Sequence, residues 1–387
     1  MRNVAIIALL LLVSACGLFS SHSNVARPSR LTAFKPTLKV TRVWSRQAGN
    51  GTGGYDLVLR PGLAQGTVYV ASENGVVAAY GARNGQRVWR KHLKAHITGG
   101  VGVGQGLVVV ATRRGRVLAL RTKNGTLAWR AQASSEVLAS PVIGPHGVYV
   151  ASLDGHVAAF GLSHGKRLWV TSHVEPTLKL YFASRPTLAH DLLYKGYANG
   201  AVVALRTRDG RRLWTSVIAR SRGSDVVERL IDVAHPIWQQ NLVYANAYHG
   251  NVVALAAHSG AILWSHPLSS DRNMALGGQS LYVVTTHSRV LALANASGGT
   301  LWTQKLLLNR RLGDPALAGP AVVLGDFAGY TQWLSRRTGA LVARKRVGEG
   351  AIRAAPLVAS VVPGLPYVFV LNTNGRLTAL RFQPKTT

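Results

Sequence analysis

Cysteine is almost absent from this chain: Cys16 is the only one in 387 residues. A single thiol excludes an internal disulfide and any cysteine-based metal site. Acidic residues are scarce too, with 14 Asp and Glu against 45 Lys and Arg and a formal charge of +31. The few carboxylates show no pairing suited to acid and base work. The thirteen histidines are scattered through the chain. His-Glu-x-x-His does not occur. Neither a cofactor nor a metal is expected, and the chain does not read as an enzyme. Long apolar runs are missing as well, since the stretch Val4 to Val13 is too short to cross a bilayer. After Met1-Arg2-Asn3 it has the length of a signal-peptide core, so residues 1–15 are expected to be an address and not a domain.

Leu12-Val13-Ser14-Ala15-Cys16-Gly17 resembles the bacterial lipobox, in which small residues lead into a cysteine that is acylated after cleavage. Cys16 is then the first mature residue and a lipid anchor. More than one alkyl chain, at about 0.8 kcal/mol per buried methylene, holds a protein stably on a membrane. Among such lipoproteins an Asp after the cysteine marks inner-membrane retention. Gly17 at that place implies the periplasmic face of the outer membrane. Ser20 to Lys39 is rich in Ser, Arg and Pro and reads as a solvated tether, giving a lipidated N-terminus and tether over 16–38 and a folded domain over 39–387.

So large a positive charge suits a polyanionic partner. Nucleic acid is not expected, because the chain is exported and its basic residues are spread through every repeat. An acidic surrounding, in which carboxylates lose their charge, is a second source of the imbalance.

What the sequence does contain is a repeat. A glycine is followed ten residues on by a second glycine and four further by a tryptophan: Gly75, Gly85, Trp89; Gly115, Gly125, Trp129; Gly155, Gly165, Trp169; Gly200, Gly210, Trp214; Gly250, Gly260, Trp264. Then come Ser288, Gly298, Trp302; Gly329, Gly339 and Ala343 in the tryptophan's place; and Gly375 alone. Six residues before each leading residue stands Tyr69, Val109, Tyr149, Tyr194, Tyr244, Tyr282, Val323 or Phe369, in a short β-branched and aromatic run. Alternating stretches such as Val76-Val77-Ala78-Ala79-Tyr80 follow, so each glycine turns one strand into the next. With one more strand ahead, as at Ser140-Pro141-Val142-Ile143, each unit holds four antiparallel strands. No stretch has the helical period. Eight such units predict an all-β fold, an eight-bladed β-propeller whose tryptophans wedge between blades.

The eighth copy lacks a final strand, and Lys39-Val40-Thr41-Arg42-Val43-Trp44 near the N-terminus looks like that strand. Pairing it with the C-terminal strands closes the ring and removes two sheet edges. The stretch Gly99 to Gly106 invites a phosphate-loop reading, but it leads into a strand and not a helix, so it is the first hairpin of a blade.

Most leading residues lie 38 to 41 apart, but Gly155 to Gly200 spans 45 and Gly200 to Gly250 spans 50. The extra residues, around Thr171 to Arg185 and Ile218 to Pro236, fall in consecutive blades and belong side by side on one rim.

The glycine–tryptophan repeat is similar to the pyrroloquinoline-quinone type of propeller repeat, found in quinoprotein dehydrogenases and in lipoproteins without catalysis. The dehydrogenases carry a vicinal cysteine pair, which Cys16 alone cannot supply. Signal peptide, lipobox, eight blades and the stretches Glu228 to Pro236, Asn246 to Leu255, Leu301 to Gln304 and Gly325 to Tyr330 resemble the BamB family of outer-membrane protein assembly factors. This resemblance implies a scaffold in the β-barrel assembly machinery that binds the POTRA domains of a BamA-like barrel protein, with unfolded outer-membrane proteins as a further partner. It also implies two contact elements. Leu178, Leu180 and Tyr181 match the first, with Tyr181 where the family has Arg; Arg229, Leu230 and Asp232 match the second, with Ala234 in place of its last acid. A quinone-dependent oxidoreductase subunit and a polyanion-binding envelope protein are the alternatives.

Overall fold

A computed structural model describes residues 26–180, 184–221, 225, 228–362 and 364–385. Cys16 and the signal segment lie outside them. Most repeats turn on their glycines, although in the fifth the positive φ falls on His249 (+49°) and in the sixth on Ser288 (+63°). Gly75 (φ +86°) turns Thr67–Ala71 back into Val76–Gly81, and Gly85 (φ +67°) turns that strand into Arg87–His92. A positive φ costs a side chain strain that glycine escapes. The described residues contain strands and turns but no helix.

Eight antiparallel sheets result. Blades one to seven cover residues 62–92, 97–132, 142–172, 187–217, 232–267, 275–304 and 316–346. First strands touch first strands of the next blade, so they ring the axis, and the half-exposed fourth strands form the rim. In blade five the first strand is interrupted at Pro236. Asp232–Val233 and Ile237–Gln239 both pair with Leu242–Tyr248. The glycine-rich stretch Ile97–Gly104 is a first strand, turned by Gln105 and Gly106 at φ +50° and +74°, as a two-residue hairpin requires.

Blade eight is completed from the other end of the chain. Leu38–Gln47 pairs with Arg376–Pro384 from Leu38 opposite Pro384 to Gln47 opposite Arg376, and the order of strands makes it the fourth of that blade. The step from Gly329 to Gly375, 46 residues, is also long; much of that length goes into the hairpin of Leu357–Val362 with Leu365–Leu371.

Tryptophans tie the ring. Each of Trp44, Trp89, Trp129, Trp169, Trp214, Trp264 and Trp302 lies against the second glycine of the following blade, where a Cβ would stand 2.5 or 2.6 Å from the ring. Each indole Nε1 donates to a carbonyl of that blade, at 2.7 Å for Thr122 and Leu162 and at 3.0 Å for Ala82. Ala343 breaks the series. The buried Trp333 pairs across from it, packs 5.2 Å from Phe382 and donates to Thr331 at 3.0 Å.

The expected tether is shorter than its composition suggests. Ser29 donates its N–H to Leu308 at 2.9 Å, Arg310 donates to the Ser29 carbonyl at 3.0 Å, Arg344 to the Thr32 carbonyl at 3.0 Å, and Thr37 donates to Val342 at 3.0 Å. Phe34 packs against the core between blades six and seven. Residues 27–37 are thus a strap along blades six and seven and not part of a free linker, because arginines of the propeller satisfy its backbone carbonyls.

Strands alternate in direction, so the links from one blade to the next share a face with the turns between second and third strands. This connection face carries both long insertions and the start of the strap at Arg27 to Ser29.

Candidate partner-binding face

The insertion at 173–186 joins blades three and four, and that at 218–231 joins blades four and five, so they occupy neighbouring junctions of the connection face. The first is pinned at its start. The His173 ring lies 4.2 Å from that of Tyr197, tilted by 37°, and Asn199 Nδ2 meets His173 Nε2 at 2.9 Å and donates to the Val174 carbonyl at 3.1 Å. Burial holds the His173 imidazole below its usual pKa, against the raising effect of Asn199. Further on, Lys179 turns inward and donates to Glu175 Oε2 at 3.0 Å and to the Leu153 carbonyl. Its neighbours are set by that turn: Leu178 is 54 % exposed and Leu180 half-buried. Tyr181 lies outside the described residues.

In the second insertion, Asp225 accepts from the Glu228 N–H at 2.8 Å and Ser221 donates to the Arg229 carbonyl at 3.0 Å. This closed turn leaves Arg229 exposed and Leu230 half-buried. The chain then dives. Ile231 is buried and Asp232 enters the first strand of blade five, only 5 % exposed. The expected triplet is therefore divided: Arg229 and Leu230 belong to the outer turn, while Asp232 turns into the protein. Ala234, at the family's last acidic place, is fully buried, its carbonyl accepting from Ser184 at 3.1 Å and its N–H donating to Asn246 at 2.9 Å.

Asp232 meets a cluster that includes the buried Lys195 together with Glu175 and Lys179 of the first insertion. They line, with Ser184 and Leu153, a cavity of about 30 Å³, room for a water or two. Burial pushes the Asp232 carboxyl up to about 8, with Lys195 pulling the other way. Burial pushes the Lys195 ammonium down, opposed by Glu175 and Asp232. The cluster brings side chains of the first insertion, of blade four and of the strand into which the second insertion runs together in one buried place. Lys195 was legible in one respect. It stands where the second strands of other blades have Val70, Val110, Val150 or Ala245, the one charge in an apolar series.

Deeper in, the half-buried ring of His235 meets the Arg185 carbonyl at 2.5 Å, the His235 backbone N–H donates to Asn273 Oδ1 at 3.1 Å, and the Asn273 backbone N–H donates to Asp314 at 3.0 Å. Burial and Arg185 hold His235 down to about 3, so it stays neutral. These bonds brace blades four to seven near the axis. Among the described residues no three of His, Cys, Asp and Glu come together as a metal site.

A family model described as outer membrane protein assembly factor BamB matches residues 73–304. The chain is 34% identical over 382 residues to the outer membrane protein assembly factor BamB of Bordetella pertussis, covering 98% of this chain and 97% of that one. The chain belongs to the BamB family. Identity to the BamB of Pseudomonas aeruginosa is 36%, over 98% of both chains. The crystal structure of BamB from Moraxella catarrhalis superposes with a TM-score of 0.79 at 24% identity, over 89% of this chain and all of that one. The quinohemoprotein alcohol dehydrogenase of Comamonas testosteroni shares the propeller fold, with a TM-score of 0.71 at 14% identity over 90% of this chain and 77% of that one. Membership in the BamB family places the chain among outer-membrane assembly factors, and the likeness to the dehydrogenase is one of fold alone.

Proposed function

We propose that this protein is a non-catalytic scaffold of outer-membrane protein assembly, anchored through Cys16 on the periplasmic side of the outer membrane and bound to the POTRA domains of a BamA-like barrel protein. The observation that carries this reading is the pair of insertions at neighbouring junctions of one face, tied together by the Glu175, Lys179, Lys195 and Asp232 cluster. That lock joins the insertion that bears Leu178 and Leu180 to the one that bears Arg229 and Leu230. Apolar anchors with an arginine are what the centre of a protein interface uses. Tyr181, next to Leu180, adds area. Asp232 acts from beneath, as a positioning residue.

Unfolded outer-membrane strands are a second partner in this proposal. The fourth strands are unpaired sheet edges, and Leu168, Leu213, Leu263 and Leu301 on them are each 45 to 56 % exposed. Such edges suit addition of another strand.

The test is a titration of the mature lipoprotein, in neutral detergent, against the periplasmic domains of the BamA-like protein of the same organism. Saturable one-to-one binding is expected, with Leu178→Asp and Leu180→Asp each weakening it at least tenfold at an unchanged melting temperature. Undiminished affinity in both variants rejects the site.

A further inference from the structure

Between blades seven and eight lies an open groove of about 600 Å³ on the connection face, lined by Arg346, Arg376, Arg42, Gln47, Glu349 and Asn374 among others. Its three arginines hold fixed places in the repeat: Arg346 three residues after the tryptophan position, Arg376 just after the leading glycine, and Arg42 two before Trp44. The other seven junctions carry no more than one Lys or Arg at these three places; that between blades four and five has Val217, Asn251 and Ile262. The cluster is therefore a local departure from the repeat and not a share of the overall charge.

None of the three has a carboxylate within 4.0 Å among the described residues. Glu349 is the one carboxylate in the lining, so three guanidiniums less one carboxylate leave two positive charges in excess. Arg346 sits 5.8 Å over the Tyr330 ring, and the Arg376 stem lies against Gly348, where a Cβ would be 3.1 Å from its Cδ. Both side chains are thus seated at the groove wall. Guanidiniums present paired donors that match the oxygens of a phosphate.

Contacts connect this groove to the start of the strap. Arg310 bonds the Ser29 carbonyl at 3.0 Å and Asp326 at 2.7 Å. Asp326 opens the turn that ends at Gly329, and Gly329 packs on Gly348 at the groove. Cys16 stands eleven residues before Arg27, a length that spans at most about 40 Å even when extended.

We propose that the Arg42, Arg346 and Arg376 groove binds the phosphate of an anionic lipid headgroup and so fixes the rotation of the propeller on its membrane. This rests on the reading of Cys16 as the anchor, which puts the bilayer within reach of this edge of the connection face. A second, non-covalent hold converts a single swivelling attachment into a defined orientation, with the partner insertions three and four blades away around the same face.

The experiment titrates the full mature lipoprotein in neutral detergent with dihexanoyl phosphatidylglycerol, dihexanoyl phosphatidylcholine and inorganic phosphate. Saturable binding of phosphatidylglycerol is expected, at least tenfold tighter than the other two. The triple variant Arg42→Gln, Arg346→Gln, Arg376→Gln should weaken it at least tenfold, while the control triple Arg83→Gln, Lys123→Gln, Lys166→Gln changes it less than twofold. Melting curves show that both triples are folded. Equal losses in both triples, or no saturable binding, overturn the groove; inorganic phosphate bound as tightly as the lipid overturns the membrane as its source. The mass of the mature chain reports the lipid on Cys16 separately. An unacylated chain rejects the anchor reading, whereas an acylated chain without selective loss in the first triple rejects the groove alone.

Discussion

The Trp129 indole lies against Gly165 so closely that a Cβ on that glycine would stand 2.5 Å from the ring, while its Nε1 donates to Leu162 of the same turn at 2.7 Å. The glycine is held at φ +68°, where a side chain is strained in any case. The spacing of second glycine and tryptophan is therefore one contact repeated round the ring, with each tryptophan reading the glycine of the next blade.

Gly165→Ala combines overpacking with left-handed backbone strain and is expected to destabilise the protein by about 2–4 kcal/mol. Gly66→Ala is the comparison: its φ is +70° but a Cβ there meets nothing within 4 Å, so only the strain remains, about 1–2 kcal/mol. Urea unfolding midpoints measure both. Equal losses would show that the tryptophan contact contributes nothing.

Closure of the ring rests on Trp44, which packs 5.8 Å from Phe369 within blade eight and bonds to the Ala82 carbonyl of blade one at 3.0 Å. Trp44→Ala removes a buried aromatic at the one junction where the two ends of the chain meet, with an expected cost of about 3–5 kcal/mol. Limited proteolysis should then cut within 38–47 first. A variant as resistant as the parent would mean that the strand is held by its backbone pairing alone.

These contacts explain why the ring was legible in the sequence and the strap was not. Glycine and tryptophan are demanded by backbone geometry and by one recurring contact, so they recur in register, and even the closing strand carried its mark in Trp44. Residues 27–37 bind through carbonyls such as those of Ser29 and Thr32, which any residue possesses, so their Ser, Arg and Pro composition looked solvated. The burial of Asp232 was not legible for a related reason. Its nearest opposing charge, Lys195, lies 37 residues earlier in the chain, and only the packing of blade four on blade five unites them.

The raised pKa of Asp232 sets a direction for stability against pH. Burial lifts it from an ordinary value near 3.8 to about 8, so the folded state holds a proton that the unfolded state has lost between those limits. The stability this gives is complete below about pH 4 and falls as pH rises toward 8. Lys195, pushed down by burial and opposed by Glu175 and Asp232, acts in the opposite sense, adding stability as pH rises toward its ordinary value. Asp232→Asn should therefore flatten the decline of stability between pH 5 and 8, read from urea midpoints across that range. A parallel decline in parent and variant would assign it to other groups. The expected preference for mild acid accords with a surface that carries few carboxylates.

Arg310 and Asp326 are 5 % and 0 % exposed and bonded at 2.7 and 2.9 Å, and Asp326 also accepts from Gln332 and from the N–H groups of Ala328 and Tyr330. Arg310→Met leaves that carboxylate buried without its cation, a change that costs about 3–5 kcal/mol. It also takes the donor from the Ser29 carbonyl. Hydrogen exchange at the Ser29 amide, which is bonded to Leu308 at 2.9 Å, should then quicken together with that of the turn 326–329. Exchange that quickens in the turn but not at Ser29 would show that the strap is held by Arg344 and Phe34 independently. In that case the link from the strap to the arginine groove would run along the outer strands and not through Asp326.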